Sequence, residues 1–356
     1  MSQPAQAARV TPIGVVQTVT GPVAAADLGL ILPHEHLFND LSGVVDEPSY
    51  AFSRAVVHEP VSAAIAWALR QDPYCCVDNM AGKSVAEVSA EITSFAALGG
   101  RTVVDATPSP VIGRNPQRLL EVARGTGLNI VMGCGAYLEK FEGDAIAARA
   151  IDVQAAAISA ELTYGVGQTG IRPGVIGEIG VSPDFTAGEH ASLRASALAQ
   201  LDHPHVPLLI HLPGWQRRAH EILDVVVGEM GVRPEKVVLA HMDPSAEDSD
   251  YQRSVADRGV WIEFDMVGMD VTFPKEGASP DPHVTSRAVH GLITAGFAGQ
   301  ILLSHDVFLK QMWVHNGGNG FAYVPTVFTE MLAKRGIERG VLDALIRDNP
   351  ARMLTA

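Results

Sequence analysis

Cysteine is scarce in this chain of 356 residues: only Cys75, Cys76 and Cys134 occur, an odd number without C-x-x-C spacing. That excludes a disulfide framework and a thiolate zinc site, and it fits a reducing cytoplasm. No apolar stretch is long enough to span a bilayer, and residues 1–16 lack the basic region and apolar run of a signal peptide. A soluble, unexported protein without a membrane partner is the expectation. Positive charge is also in deficit, with 26 Lys and Arg against 40 Asp and Glu and a net charge of -14. Such a surface repels a phosphate backbone, so no nucleic-acid partner is expected. The patterns G-x-S-x-G, H-E-x-x-H and G-x-x-x-x-G-K-[ST] are missing, which removes the case for a serine hydrolase, a zincin or a P-loop enzyme. Gly165-Val-Gly167-Gln-Thr-Gly170 matches a dinucleotide fingerprint, but it follows a helical stretch and precedes a strand, so it reads as a loop.

What is present is ordinary globular material, 47% apolar and 19% charged, with neither repeats nor low-complexity tracts. Eight short runs rich in Val, Ile and Leu read as strands: residues 29–36, 101–106, 129–135, 173–180, 206–212, 236–242, 260–267 and 300–306. Most are nearly continuous in apolar residues, as strands buried on both faces must be. Helical spacing lies between them, at 85–98, 116–124, 189–201, 218–230 and 282–295. Alternation of this kind implies a parallel sheet, and eight strands favour closure into a (β/α)8 TIM barrel forming one domain over residues 1–356. Two long excursions, 37–84 with a helical stretch at 61–69 and a Gly/Pro-rich segment at 268–281, leave strand C-terminal ends. In this fold the active site is built there, so both are expected to form pocket walls or lids.

The chemistry-bearing residues sit at those same ends. His34 and His36 close the first run, and alternate residues of a strand share a face. Both imidazoles therefore reach one cation while Glu35 points away. His211 and His241 finish two successive strands; either alone reads more readily as a structural histidine, but the pair in equivalent positions joins the H-x-H as a ligand set. Glu178 lies inside a buried strand, where an unpaired carboxylate is costly. A dication removes that cost, and one carboxylate spans two metals ~3.5–4 Å apart; a buried Arg such as Arg172 is the alternative partner. The eighth run ends in His305-Asp306, of which only one can face the site, and periodicity does not choose between them. A carboxylate that binds metal and takes a proton from water favours Asp306 as ligand and catalytic base. Asp105 and Asp265 end the second and seventh strands, as orienting acceptors for ligand histidines or as caps of the following loops. The acid-rich 243–250 segment reads as a solvated loop. Tyr137, Trp215, Arg217, Arg218 and Lys310, with Trp313 and His315, follow strand ends and are candidate substrate contacts. Their cations allow an anionic group on a small-molecule substrate; as single residues they read equally as solvated charges.

The ordered set P-H-E-H at Pro33 to His36, G-E-I-G at Gly177 to Gly180, I-H at Ile210-His211, A-H-x-D at Ala240 to Asp243 and S-H-D at Ser304 to Asp306 resembles the phosphotriesterase family of the amidohydrolase superfamily. Asn316-Gly-Gly-Asn-Gly320 and Asn349-Pro350 extend the resemblance over nearly the whole chain, nearest to the phosphotriesterase-related proteins. The resemblance implies a distorted barrel with a binuclear centre, zinc first and manganese as the alternative. His34, His36 and Asp306 would hold the more buried ion and His211 and His241 the more exposed one, with Glu178 bridging. Phosphotriesterases proper bridge with a carboxylated lysine, so the glutamate argues against potent organophosphate hydrolysis. Hydroxide bridging the ions would attack a carbonyl centre, of a lactone or carboxylic ester first. An N-acyl amide is the alternative, followed by weak phosphotriester hydrolysis or non-catalytic binding of the resiniferatoxin-binding type. Related barrels suggest a homodimer.

Overall fold

The computed structural model describes residues 14–355. A hairpin of β1 (Val15–Thr18) and β2 (Gly21–Ala24) comes first, and beside it the Val19 N–H donates to the Ile130 carbonyl at 2.9 Å. The barrel strands follow: β3 (Leu30–Glu35), β4 (Gly100–Asp105), β5 (Asn129–Met132), β6 (Ile176–Gly180), β7 (Leu208–His211), β8 (Val237–Leu239) and β9 (Trp261–Phe264). After a small hairpin of β10 (Thr272–Phe273) and β11 (Gly277–Ala278), β12 (Ile301–Leu303) supplies the eighth. All eight pair in parallel, as the (β/α)8 expectation requires. They form two arcs, β3-β4-β5 and β6-β7-β8-β9-β12. At one seam Gly174 and Gly177 donate to Met132 and Cys134 at 2.9 and 2.7 Å; at the other Asp306 donates to His34 at 3.2 Å.

Local chemistry fixes the helices. Ser84 and Glu87 form a reciprocal capping box at the start of Val85–Ala97, and Thr186 with Glu189 does the same for Ala187–Asp202. Asn115 caps Pro116–Thr126, which ends on left-handed Gly127. The expected single helix at 218–230 is instead Ala219–Leu223 passing into a wider π turn, Asp224–Glu229. Helices Ile151–Tyr164 and Ser249–Ala256 lie outside the sequence expectation.

Period-two patterning divides the strand residues into two buried clusters. Leu32, Val103, Ile130, Ile176, Leu208, Leu239 and Leu303 pack with helix residues such as Ile92, Leu119, Leu193, Ile222 and Val289, and so face outward. Ile31, Val104, Val131, Val175, Leu209, Val238 and Leu302 form the separate inner cluster. Strict alternation from Ile31 would send Pro33 and Glu35 inward and His34 outward. The register shows why this does not happen: Leu32 pairs with Val103 but Glu35 with Asp105, so β3 carries one extra residue. β6 does the same, with Ile176 opposite Leu208 and Ile179 opposite Ile210. Each bulge reverses the phase of its strand and turns the following residues, His34 and His36 in one and Glu178 in the other, into the barrel mouth. Gly177 makes the second bulge possible. Its φ is +127°, and a Cβ there would lie 2.3 Å from the Leu209 carbonyl oxygen.

Both excursions reach the mouth. Asn39, Leu41, Tyr74 and Met80 from the first, and Met269, Phe273, Lys275 and Glu276 from the second, line one cavity. Among the described residues, no helix is long and apolar enough to cross a membrane.

Candidate metal centre

At the C-terminal end of the barrel, Glu178 is buried with one carboxylate oxygen toward each of two groups of side chains. Oε1 lies 3.2 Å from His36 Nε2. Oε2 lies 3.2 Å from His211 Nδ1, 3.3 Å from His241 Nε2 and 3.4 Å from His34 Nε2. Asp306 completes the first group, its Oδ1 3.2 Å from His36 Nε2 and 4.0 Å from His34 Nε2. The structure thus brings together all six residues proposed from the sequence. It also decides between the last two candidates: Asp306 faces the imidazoles, whereas His305 Nδ1 donates to Glu35 at 2.7 Å and its Nε2 accepts the Val324 N–H at 2.8 Å. Four histidines face or flank Glu178, and Arg172 donates to Gln17.

Carboxylates hold the Nδ1 atoms of two imidazoles and a hydroxyl meets that of a third, which turns all three Nε2 atoms toward Glu178. His34 Nδ1 lies 2.9 Å from Glu263 Oε2, His36 Nδ1 2.9 Å from Thr107 Oγ1, and His241 Nδ1 2.8 Å from Asp265 Oδ1. His211 presents its Nδ1 instead. His241 and Asp306 both have left-handed backbones, φ +58° and +51°, which non-glycine residues adopt only when their surroundings impose it.

Electrostatics point the same way. Burial disfavours the charged form of each imidazole. Glu178, Glu263 and Asp265 nevertheless hold His34 well above its ordinary range. Asp306 and Glu178 raise His36 to about 9, and Asp265 raises His241 well above normal. Against its own burial, Glu178 is held well below the usual carboxylate range by His34 and His211. Positive charge is therefore wanted at this spot.

Two atoms test whether a cation fits. His34 Nε2 and Asp306 Oδ1 are buried without a hydrogen-bond partner, and each would cost ~1–3 kcal/mol if left so. A divalent ion satisfies both. His34, His36 and Glu178 form one group able to hold a metal ion, and Glu178, His211 and His241 another; they share the glutamate. A third group, His34 with Glu263 and Asp265, is accounted for by the Glu263 hydrogen bond to His34 Nδ1 and the engagement of Asp265 by His241.

The remaining sequence candidates divide. Asp265 contacts His241 directly. Asp105 acts at one remove: it accepts the Leu37 and Thr107 N–H groups at 2.8 and 3.2 Å, and Thr107 in turn meets His36. Tyr137 and Trp215 line the cavity, Tyr137 with its hydroxyl 3.4 Å from His211. Arg217, Arg218 and Lys310 do not line it; they pair with Asp248, Glu221 and Asp78 at 3.3, 2.6 and 2.6 Å. Trp313 and His315 are likewise absent from its lining. The reading of 243–250 as a solvated loop fails at Asp243, which is fully buried and accepts the Asp265 and Met266 N–H groups at 3.0 and 3.2 Å. Sequence reasoning missed Glu263 and Thr107. Glu263 lies in β9 two residues before Asp265, which directly follows that strand, so the same period-two argument would have found it.

Above this cluster the cavity holds about 680 Å³. One wall is aromatic: Tyr74 and Phe273 have ring centroids 5.1 Å apart, and Phe308 and Trp215 lie 6.4 and 5.8 Å from Phe273. Lys140, across the mouth, sits over the Phe141 and Tyr74 rings at 5.3 and 5.9 Å. Acidic side chains of Glu139, Asp184, Glu189 and Glu276 also contribute to the lining.

The chain is similar to known proteins along nearly its whole length. A sequence model of the Phosphotriesterase family matches residues 14–354. The chain is 31% identical over 346 residues to the N-acetyltaurine hydrolase of Rattus norvegicus, covering 96% of this chain and 98% of that protein. It is 30% identical over 349 residues to a phosphotriesterase-related protein of Nematostella vectensis, covering 96% and 99%. Among solved structures, a resiniferatoxin-binding protein from Rhodobacter sphaeroides superposes with a TM-score of 0.93 at 41% identity, over 97% of this chain and 96% of that one. A phosphotriesterase homology protein from Escherichia coli, complexed with phosphate in its active site, gives 0.76 at 26% identity, over 92% and 99%.

Proposed function

This chain belongs to the phosphotriesterase family and is a hydrolase, and from that premise we propose that it cleaves a small molecule at a carbonyl centre, an N-acyl amide first. The observation that carries the reading is the position of Glu178 among four imidazoles, one oxygen toward His36 and the other toward His34, His211 and His241. The names of the curated relatives support an amide over the ester or lactone that the sequence alone put first.

Two divalent cations, zinc before manganese, would be held by His34, His36, Glu178 and Asp306 and by Glu178, His211 and His241; bound there, they would polarise a carbonyl and lower the pKa of a water nucleophile. With Oδ1 engaged by a cation, the other oxygen of the Asp306 carboxylate would take the proton of the attacking water and return it to the departing amine. Asp265, Glu263 and Thr107 keep the imidazoles aimed throughout. The Tyr137 hydroxyl, beside His211, is placed to steady the substrate's polar end. Tyr74, Trp215, Phe273 and Phe308 would take its apolar part and exclude water. That apolar wall also favours a second reading, a lactone or carboxylic ester with a hydrophobic substituent.

The test is a panel of N-acyl amides, five- and six-membered lactones, aryl esters and one phosphotriester, assayed with protein reconstituted in zinc. Highest kcat/KM on the amides supports the proposal, and highest on lactones exchanges the two readings. Binding without turnover of any of them makes the protein a small-molecule binder and overturns both.

A further inference from the structure

Glu35, the last residue of β3, stands between His34 and His36, facing away from them, and is 0% exposed. We propose that its carboxylate is the positioning group for Asp306; the inference rests on Asp306 serving as a site ligand, as proposed above. The strands on either side of this seam, β3 and β12, belong to different arcs. Across it, one side chain gathers the residues that flank Asp306. Glu35 Oε1 accepts the Ser304 hydroxyl at 2.9 Å, the His305 N–H at 3.2 Å and His305 Nδ1–H at 2.7 Å, while Oε2 accepts the Val307 N–H at 2.8 Å. The Val324 N–H, donating to His305 Nε2, fixes the tautomer that leaves Nδ1 as donor. Ser304 Oγ, while donating to Glu35, accepts the His34 N–H at 3.1 Å.

The residues immediately before and after Asp306 are thus held by one carboxylate, and Asp306 itself donates its N–H to His34. This clamp sustains the left-handed backbone of Asp306, a conformation that costs ~1–3 kcal/mol and relaxes when its surroundings allow. In relaxing, the Asp306 carboxylate would turn away from His36. Glu35→Gln nearly conserves shape but replaces an acceptor by an NH₂ group, which must face either Val307 N–H or the Ser304 and His305 donors.

The test compares wild type, Glu35→Gln, Asp306→Ala and the double variant for zinc retained against a chelator-buffered series, with folding checked by circular dichroism. Glu35→Gln is expected to weaken zinc retention by ~10–100-fold. The double variant is expected to match Asp306→Ala, because a residue acting through Asp306 has nothing left to act on. Turnover on the substrate found above should show the same non-additivity, as a fall in kcat with KM nearly unchanged. Wild-type zinc retention in folded Glu35→Gln, or additive losses in the double variant, overturns the positioning role alone. Wild-type retention in Asp306→Ala overturns the ligand assignment and this inference together. Should Glu35→Gln fail to fold, Ser304→Ala removes one of the four donors; unchanged zinc retention there also overturns the proposal.

Discussion

Nδ1 of His241 lies 2.8 Å from Oδ1 of Asp265, and the same carboxylate accepts the His241 backbone N–H. One buried aspartate thereby sets both the ring orientation and the left-handed backbone of a residue beyond the end of β8. Asp265→Asn keeps the shape but gives up one of the acceptors. It is expected to weaken zinc binding by ~10–100-fold, read by chelator competition. Unchanged binding would mean that the backbone alone aims His241.

Asp306→Asn should leave the fold intact and lower kcat by ~10²–10⁴-fold, since the amide cannot take a proton from water. Steady-state kinetics on the preferred substrate measure this, and a wild-type kcat would assign the base elsewhere. Glu178→Ala should cost one metal equivalent per chain by elemental analysis, because its carboxylate is common to both ligand groups; two equivalents retained would refute the bridge.

Lys83 gives a pH signature. It is buried, donates to Asn39 and to the Phe308 carbonyl, and so ties the loop after β3 to the loop after β12. Burial lowers its pKa to about 7, whereas the unfolded side chain titrates near ~10.4. Between those values the unfolded chain holds the extra proton, so this group makes stability rise with pH across that window and contributes no slope below it. Urea melts of metal-stripped protein from pH 6 to 10 should show a slope that Lys83→Met reduces. Identical slopes would mean that Lys83 keeps its proton in the folded state.

The three cysteines are buried, and burial pushes Cys75 up to about 12 and raises the other two. At pH 8 about one Cys75 side chain in 10⁴ is then thiolate. Native protein should resist a thiol-disulfide reagent and release three equivalents once denatured; fast native labelling would contradict the packing around Cys75.

The eight strands were legible because each is a short apolar run, and the candidate ligands because five of them end such runs and the sixth, Glu178, is a carboxylate inside one. What the sequence hid was register. Nothing in Leu-Pro-His-Glu-His marks an extra residue in β3, since a bulge is defined only against the partner strand. Regular alternation still paired His34 with His36 correctly, because both follow the bulge. The choice between His305 and Asp306 lay beyond periodicity for a similar reason: it depends on Val324 and Glu35, distant in the chain. Arg217, Arg218 and Lys310 read as substrate contacts because Asp248, Glu221 and Asp78, which engage them, come together with them only in the fold. The aromatic wall was hidden because Tyr74 and Phe273 come from the two excursions, which carry no period.

The seam between β3 and β12 also sets a schedule. Asp306 follows His34 by 272 residues, so a chain emerging from the ribosome carries the first histidines of the site long before their partner exists. Until β12 is synthesised and docked, Glu35 has none of its four donors and the barrel cannot close. Truncation anywhere before residue 306 removes Asp306 together with the donors of Glu35, and leaves His34 and His36 at an unfinished mouth.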